Sequence, residues 1–308
     1  MNKTPAVSVV LPVFNGGALL EETVKSIFAQ TLSDWELIAI DDASTDGSGD
    51  YLRTIDDPRV RVYRNERNLN QASSINRGVS LARAPYVALQ DADDLSLPPR
   101  IEKQLALLEA HPELDVVSAA EYATHPDLTP FLLVRSPPDH ASITRRPTLV
   151  VRMTHHTAMG RLQWWKRWPY DPRARICQDF DLWLRSFKES TFGNVLEPLY
   201  AYRTGGITHG MRKYCLSTYY KSMSVLRHGF RQGLYYDSLL ALASMPPRIV
   251  VTAARKLLGM NPGLTKFRRI PPTEEEAEYL AEQLAVISSV KLPLKSPKSD
   301  APAQAGAE

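Results

Sequence analysis

Two short acidic clusters, Asp41-Asp42 and Asp91-Ala92-Asp93-Asp94, each follow an apolar run of the chain. Carboxylates gathered towards one crevice repel one another unless a cation or hydrogen-bond donors offset them. Mg²⁺ and Mn²⁺ are hard cations that take oxygen ligands and sit between carboxylates and the phosphates of a substrate. Taken singly, each aspartate also suits a solvated turn or a helix N-cap, and Asp46 and Asp94 are placed for those jobs. A Gly-x-Gly-x-x-Gly fingerprint and a Walker loop are both missing after the first apolar run, which argues against a dinucleotide oxidoreductase and a P-loop NTPase. Without a glycine-rich cradle, the metal itself would carry the charge of a departing diphosphate.

The elements that must position these residues alternate. Val7 to Val13 is a continuous β-branched run bounded by Asn15-Gly16-Gly17, the pattern of a strand buried on both faces. Three-to-four spacing of Leu20, Val24 and Ile27 predicts a helix over 18–30. Strands follow at 35–40, 60–63, 86–90 and 114–119, with helices at 46–55, 71–82 and 99–110 between them. Such β-α alternation implies right-handed crossovers and a mostly parallel central sheet flanked by helices, an α/β fold. Ligands of these sheets sit beyond the carboxyl ends of the strands, which is where Phe14-Asn15 and both acidic clusters lie. A helix is expected over 179–187 and a last strand over 194–202.

Composition bounds the rest. The 308 residues carry 37 Lys and Arg against 34 Asp and Glu, with 44% apolar residues, which is globular rather than disordered or fibrous. Two cysteines, Cys177 and Cys215, cannot build a disulfide framework, and no Cys/His spacing fits zinc, so a reducing, cytoplasmic setting is expected. The N-terminal apolar stretch is too short for a signal peptide, and no run approaches the ~20 residues of a membrane span.

The motifs together resemble the inverting family 2 glycosyltransferases of the GT-A fold. The likeness begins at Val7-Ser8-Val9-Val10-Leu11-Pro12-Val13-Phe14-Asn15 and continues through Asp41 to Ser48, Asn76-Arg77-Gly78, Asp91-Ala92-Asp93-Asp94 and Pro98-Pro99-Arg100-Ile101. It returns at His155-His156-Thr157 and at Gln178-Asp179-Phe180-Asp181, and ends near Tyr202-Arg203. The resemblance implies that Pro12, Phe14, Asn15, Asp41 and Asp42 hold the nucleoside of a UDP-, dTDP- or GDP-sugar, with Asp42 favoured for the base. It implies that Asp91 and Asp93 form the DxD motif holding Mg²⁺ or Mn²⁺, with Asp91 also near the donor, and that Asp179 is the catalytic base. Arg203 and His209 are candidate diphosphate contacts.

Departures from the family pattern are Gln178, where Glu is common before the base, Asn70, where Gly is common, and a loose match after Arg203. His155 and His156 suit either packing or a place beside donor or acceptor. Trp164, Trp165 and Trp168 suit either a core or a sugar platform. The expected reaction is sugar transfer to a glycan or lipid-linked acceptor in surface polysaccharide synthesis. The alternative is a catalytically inactive, glycosyltransferase-like nucleotide-binding or scaffold protein, against which Asp179 and the intact DxD argue. A nucleotidyltransferase would need a basic Gly-rich loop that Pro12 to Gly17 lacks.

The expected organisation is a catalytic domain over 1–206, with a nucleotide-sugar part to about 122 and an acceptor part from 123, then basic amphipathic helices over 207–290 and a disordered tail over 291–308. Between Arg203 and Arg269 lie twelve Lys and Arg against Asp237 alone. Pro246-Pro247 is expected to break the helices and Gly259 to end them. Basic amphipathic helices lie on anionic membrane surfaces, so a peripheral place on the inner face of the cell membrane is expected, and nucleic acid is not.

Overall fold

A computed structural model describes residues 4–174, 176–204, 211–257 and 269–295. Its first part is β1 (Val7–Val13), α1 (Leu19–Phe28), β2 (Trp35–Asp41), α2 (Ser48–Thr54), β3 (Val60–Arg64), α3 (Gln71–Leu81) and β4 (Tyr86–Leu89). Every residue of β1 and β2 is buried, because helices cover both faces of these central strands. β1 runs parallel to β2 and β4, and β2 parallel to β3, with Val13 opposite Asp41 and Val10 opposite Leu89. That register brings the carboxyl ends of three strands, and the residues just beyond them, to one edge. α3 lies directly on β1 because Gly78 has no side chain; a Cβ there would collide with Val10.

The chain continues through β5 (Leu95–Ser96), α4 (Arg100–Ala110), β6 (Val116–Thr124), β7 (Pro130–Val134), α5 (His140–Ile143), β8 (Met159–Arg161), α6 (Leu162–Arg167), α7 (Gln178–Ser186) and β9 (Phe192–Arg203). Then come α8 (Met211–Ser224), a π-helical turn (Val225–Gly229), α9 (Tyr235–Leu257), β10 (Arg269–Ile270) and α10 (Glu274–Ser289). The sheet order is β10-β7-β6-β8-β4-β1-β2-β3, with β9 beside β6 and β5. β1 to β4 pair in parallel, as do β6 and β9, while β8 joins β4 and β6 antiparallel to both and β7 joins β6 antiparallel, so the sheet is mixed. β8 can slot in because Gly160 lets the backbones close; a Cβ there would sit 2.8 Å from Val116 Cγ2. Three residues carry no periodicity, so the sequence does not announce this strand.

The C-terminal part departs from expectation in three ways. α9 runs unbroken through Pro246 and Pro247; both lie on an exposed side, where the carbonyls left without an N–H partner can be solvated. α10 is acidic at its start, closed by a capping box between Thr273 and Glu276. It buries Leu280 and Ile287 against Leu95, Leu97, Tyr122 and Leu133, on and beside β5, β6 and β7. Residues 291–295 do not begin a disordered tail: Asp56 N–H donates to Pro293 O at 2.7 Å, and Lys295 N–H to Thr54 O at 2.7 Å. The expected helix end at Gly259 and the basic residues Lys266 and Arg268 lie outside the described residues, as do Gly205 to Gly210 and 296–308.

Glu36 on β2 shows what holds the sheet to its surroundings. It is 1% exposed, and its carboxylate accepts from Ser8 Oγ at 2.7 Å, Arg83 N–H at 2.9 Å and Arg61 Nη1 at 2.9 Å. Burial alone would raise its pKa, but those donors reverse the effect and hold it below the ordinary 4.5. A depressed native pKa means that this stabilisation is complete above 4.5 and is lost as pH falls through the native value. Glu36→Ala is expected to cost on the order of 3 kcal/mol, read from the shift in urea midpoint at neutral pH, with the difference from wild type shrinking on acidification. An unshifted midpoint would show the cluster to contribute nothing.

Candidate functional site

A cavity of about 610 Å³ opens over the carboxyl ends of β1, β2 and β4. Of the expected site residues, Pro12, Phe14, Asn15, Asp42, Asp91 and Asp93 line it, together with Asn68, Asn70, Gln71 and Tyr202. Asn15 adopts φ 53°, in the left-handed region that asparagine tolerates. Its amide oxygen accepts Thr45 N–H at 2.9 Å, and its own N–H donates to Ser44 Oγ at 3.1 Å. The loop after β1 is thereby sewn to the loop after β2. Asp46 serves that loop as a turn residue, accepting Ser48 N–H at 3.0 Å and Gly17 N–H at 2.9 Å.

Asp41 and Asp42 part company. Asp42 lines the cavity, and its Oδ1 accepts Asn65 Nδ2 at 2.6 Å and Leu69 N–H at 2.9 Å. Its Oδ2 takes no protein bond among the described residues and is the oxygen left for a ligand. Asp41 is wholly buried and does not line the cavity: Oδ1 accepts Ser44 N–H at 2.8 Å, and Oδ2 pairs with Arg64. Neighbouring residues at a strand end point to opposite faces, so Asp41 is a loop anchor rather than a nucleoside contact. Between Asp42 and Ser44, Ala43 is held at φ 63°, a conformation costing about 1–2 kcal/mol for an alanine.

The second cluster is compensated from beneath. Asp91 and Asp93 face the cavity, while Asp94 is fully buried, with Oδ1 accepting Arg203 N–H at 2.8 Å. Under them lies Arg100, 1% exposed, donating to Ser96 Oγ at 2.6 Å and Leu89 O at 2.7 Å. Burial pulls its guanidinium pKa down to about 10, against Tyr200, Asp91 and Asp94, which favour the charge. His156 is stacked on Tyr202 with ring centroids 4.8 Å apart, and its Nε2 pairs with Glu121. Burial opposes its charge, yet Glu121 and the acidic loop push its pKa up to about 9. Arg203 is 5% exposed, donates Nη1–H to Asp93 O at 2.8 Å and pairs with Glu22 of α1. It clamps the acidic loop to α1 and does not line the cavity, which corrects the expectation of a diphosphate contact; His209 lies outside the described residues.

These internal cations do not settle every carboxylate. Burial and the neighbouring Asp91 hold Asp93 above the ordinary carboxylate range, and burial holds Asp94 well above it. Asp94 Oδ2 is buried without a hydrogen-bond partner among the described residues. The donor set is hard oxygen and fits a divalent cation. Ligating atoms of Asp91, Asp94 and His156 also converge within 4.8 Å, a group that shares Asp91 with the pair facing the cavity.

α7 brings the expected base. Cys177 caps its start at φ 60°, and its Sγ lies 2.9 Å from Ser217 Oγ of α8. Asp179 lies in the first turn, where the helix dipole favours a carboxylate. Asp179 does not line the cavity, but the helix start is wired to it. Gln178 Nε2 donates to Gln71 Oε1 at 2.8 Å, and Gln71 Nε2 donates to Asp91 Oδ1 at 2.8 Å. Both fields, from Asp91 and from Asp179, reach His155 and Tyr170. His155 Nδ1 lies 3.0 Å from Tyr170 OH, and burial keeps its pKa low despite those carboxylates. Asn76 exchanges two 2.9 Å bonds with the Tyr170 backbone, fixing this wall to α3.

Sequence reasoning missed Gln71, Arg100, Glu121 and Tyr202. Arg100 sits in a quoted motif, but a buried cation beneath the loop has no local signature. Trp164 and Trp165 are 4% and 2% exposed and pack with Trp183 and Phe192, so they belong to the core and are no sugar platform. No described helix is long and apolar enough to cross a membrane.

The family model described as "Glycosyl transferase family 2" matches residues 8–167, just over half of the chain. A glycosyltransferase of Bacillus subtilis strain 168 named EpsE is 32% identical over 86% of this chain and 99% of its own. WcaA of Escherichia coli strain K12, named for colanic acid biosynthesis, is 28% identical over 61% of this chain and 68% of its own. The mannosyltransferase PcManGT of Pyrobaculum calidifontis, solved with GDP-Man and Mn²⁺, superposes with TM-score 0.53 at 16% identity, covering 93% of this chain and 87% of that one. At that identity the likeness speaks for the fold, which is GT-A. With the family model over half of its length and one relative matched almost end to end, the chain belongs to glycosyl transferase family 2.

Proposed function

We propose that the protein moves a sugar from a nucleotide-diphospho-sugar to a hydroxyl of a glycan or lipid-linked acceptor, with inversion, in surface polysaccharide synthesis. The observation that carries this reading is one cavity that joins Asp42 to Asp91 and Asp93 and is tied by Gln71 and Gln178 to the helix bearing Asp179. Asp42 Oδ2 accepts from the base, with Pro12, Phe14 and Asn15 around the nucleoside. Asp91 and Asp93 would hold Mg²⁺ or Mn²⁺, which when bound offsets charge on the leaving diphosphate. They are the two carboxylates a donor in the cavity can reach, whereas Asp94 and His156 are engaged by Arg203 and Glu121. Asp179 takes the proton of the acceptor hydroxyl, which attacks the anomeric carbon opposite the diphosphate. WcaA is named for colanic acid biosynthesis and PcManGT was solved in complex with GDP-Man and Mn²⁺, which supports the donor, ion and pathway class. The basic helices after Arg203 support a peripheral place at an anionic membrane.

A thermal-shift screen of UDP-, dTDP- and GDP-sugars with and without Mn²⁺ tests the donor reading. At 100 Kd a ligand stabilises by about 2.7 kcal/mol, so one metal-nucleotide pair is expected to raise Tm clearly above either component alone. No stabilisation by any pair would sink the reading.

A further inference from the structure

The outer face of α9 is apolar and uncovered. By helical spacing, Tyr236, Leu239, Leu240, Ala243, Pro247, Val250 and Val251 share one side. Tyr236 is 77% exposed, Leu239 60% and Val250 67%. Ser238, Ala241 and Met245, on the opposite side, are buried against the catalytic body. The helix therefore presents apolar surface on both sides and packs only one, over the sixteen residues from Tyr236 to Val251 or about 24 Å of its length. A helix apolar all round is expected to be covered all round.

Charge decides what covers it. Among residues 211–257 the only acidic residue is Asp237. Arg212, Arg231 and Arg248 are exposed, Arg231 in the turn entering α9 and Arg248 on the flank of the stripe. A second copy would bring the same positive charges face to face, whereas an anionic lipid surface is complementary to them. Tyr235, 62% exposed, and Tyr236 stand together at the helix start, amphipathic rings of the kind that settle at headgroup level.

We infer that α9 docks on an anionic membrane through this stripe, lying in the plane of the interface rather than across it. The inference rests on the membrane reading above and assigns its surface. Docking also sets the base helix beside the lipid. Asp181 of α7 accepts Ser224 Oγ at 2.8 Å and lies 3.2 Å from His228 Nε2, and Gln232 Nε2 donates to Leu184 O at 2.8 Å. The segment leading into α9, from Ser224 to Gln232, is thus bonded to the helix that carries Asp179, which suits an acceptor whose hydroxyl is presented from a lipid anchor.

The test is co-sedimentation of the full chain with phosphatidylcholine vesicles containing or lacking phosphatidylglycerol, at low and high salt. Wild type is expected to bind the anionic vesicles in a salt-sensitive manner. Leu239→Glu/Val250→Glu is expected to lower partitioning at least about tenfold, with metal-nucleotide thermal shifts unchanged, since both positions are far exposed. Arg231→Gln/Arg248→Gln should remove part of the salt sensitivity. If wild type binds and the Leu239/Val250 variant binds equally, this face is wrong while the membrane reading stands. If wild type binds no vesicle, both fall. A dimer in sedimentation velocity that the same variant dissolves would mean that a second copy covers the stripe, and would also overturn the inference.

Discussion

Asp179→Asn is expected to lower turnover at least about a hundredfold while leaving nucleotide affinity unchanged. The side chain differs from wild type by little more than its charge, and Asp179 takes no hydrogen bond among the described residues, so the fold loses only the carboxylate's interaction with the helix N-terminus, on the order of 0.5 kcal/mol. Gln178 still bonds Gln71, and Gln71 still bonds Asp91, so the first turn of α7 keeps its place. What disappears is the oxygen that can accept the acceptor's proton. Release of nucleoside diphosphate at saturating donor and acceptor measures kcat, and a separate titration measures donor affinity. Wild-type turnover would remove Asp179 from the role. A loss of donor affinity equal to the loss of turnover would move it into the donor pocket.

Asp93→Asn is expected to abolish Mn²⁺-dependent donor binding and to lower kcat/KM about a thousandfold. Asp94→Asn and His156→Gln are expected to leave Mn²⁺ affinity within a few-fold and to lower stability instead. The two sets separate because the acidic loop has two layers. Asp91 and Asp93 face the cavity. Asp94 and His156 are engaged below by Arg203 and Glu121; Asp94→Asn puts an NH2 where the buried Oδ2 has no partner among the described residues, and His156→Gln removes the ring paired with Glu121, so each change costs stability. Free Mn²⁺ measured by electron paramagnetic resonance, with and without nucleoside diphosphate, reads the difference directly. Retained binding in Asp93→Asn with loss in Asp94→Asn and His156→Gln would place the ion at the inner trio.

Much of this was legible because burial writes itself into sequence. β1 and β2 are apolar at nearly every position since both faces are covered, and the loops after them follow from where those runs stop. The acidic clusters were legible as clusters, but the assignment of individual carboxylates was not. Period two says that Asp41 and Asp42 diverge without saying which one meets the cavity; Arg64, a strand away, decides it. The same holds for Arg203, whose neighbours Asp93 and Glu22 are remote in the chain. Sequence reasoning looked to a metal to offset the acidic loop, whereas Arg100, His156 and Arg203 already supply buried positive charge from three separate segments. β5, β8 and β10 are two or three residues long, below what any periodicity can mark. α9 misled for a different reason. Two prolines break a helix when their lost bonds are buried, and here they face water.

The segment from Arg269 to Lys295 carries a consequence for how the molecule is made. It pairs first with β7, then lays α10 along α1, and finally bridges Leu294 to Ile55. Contacts between the last described residues and the first third of the chain are of high contact order, and such contacts form late and slowly. During synthesis, β5, β6 and β7 emerge with the flank that carries Leu95, Leu97, Tyr122 and Leu133 uncovered until α10 supplies Leu280 and Ile287. The catalytic half is therefore not a unit that finishes early and acquires an appendage. Its closure waits for α10, and until then the nascent chain carries an open hydrophobic flank.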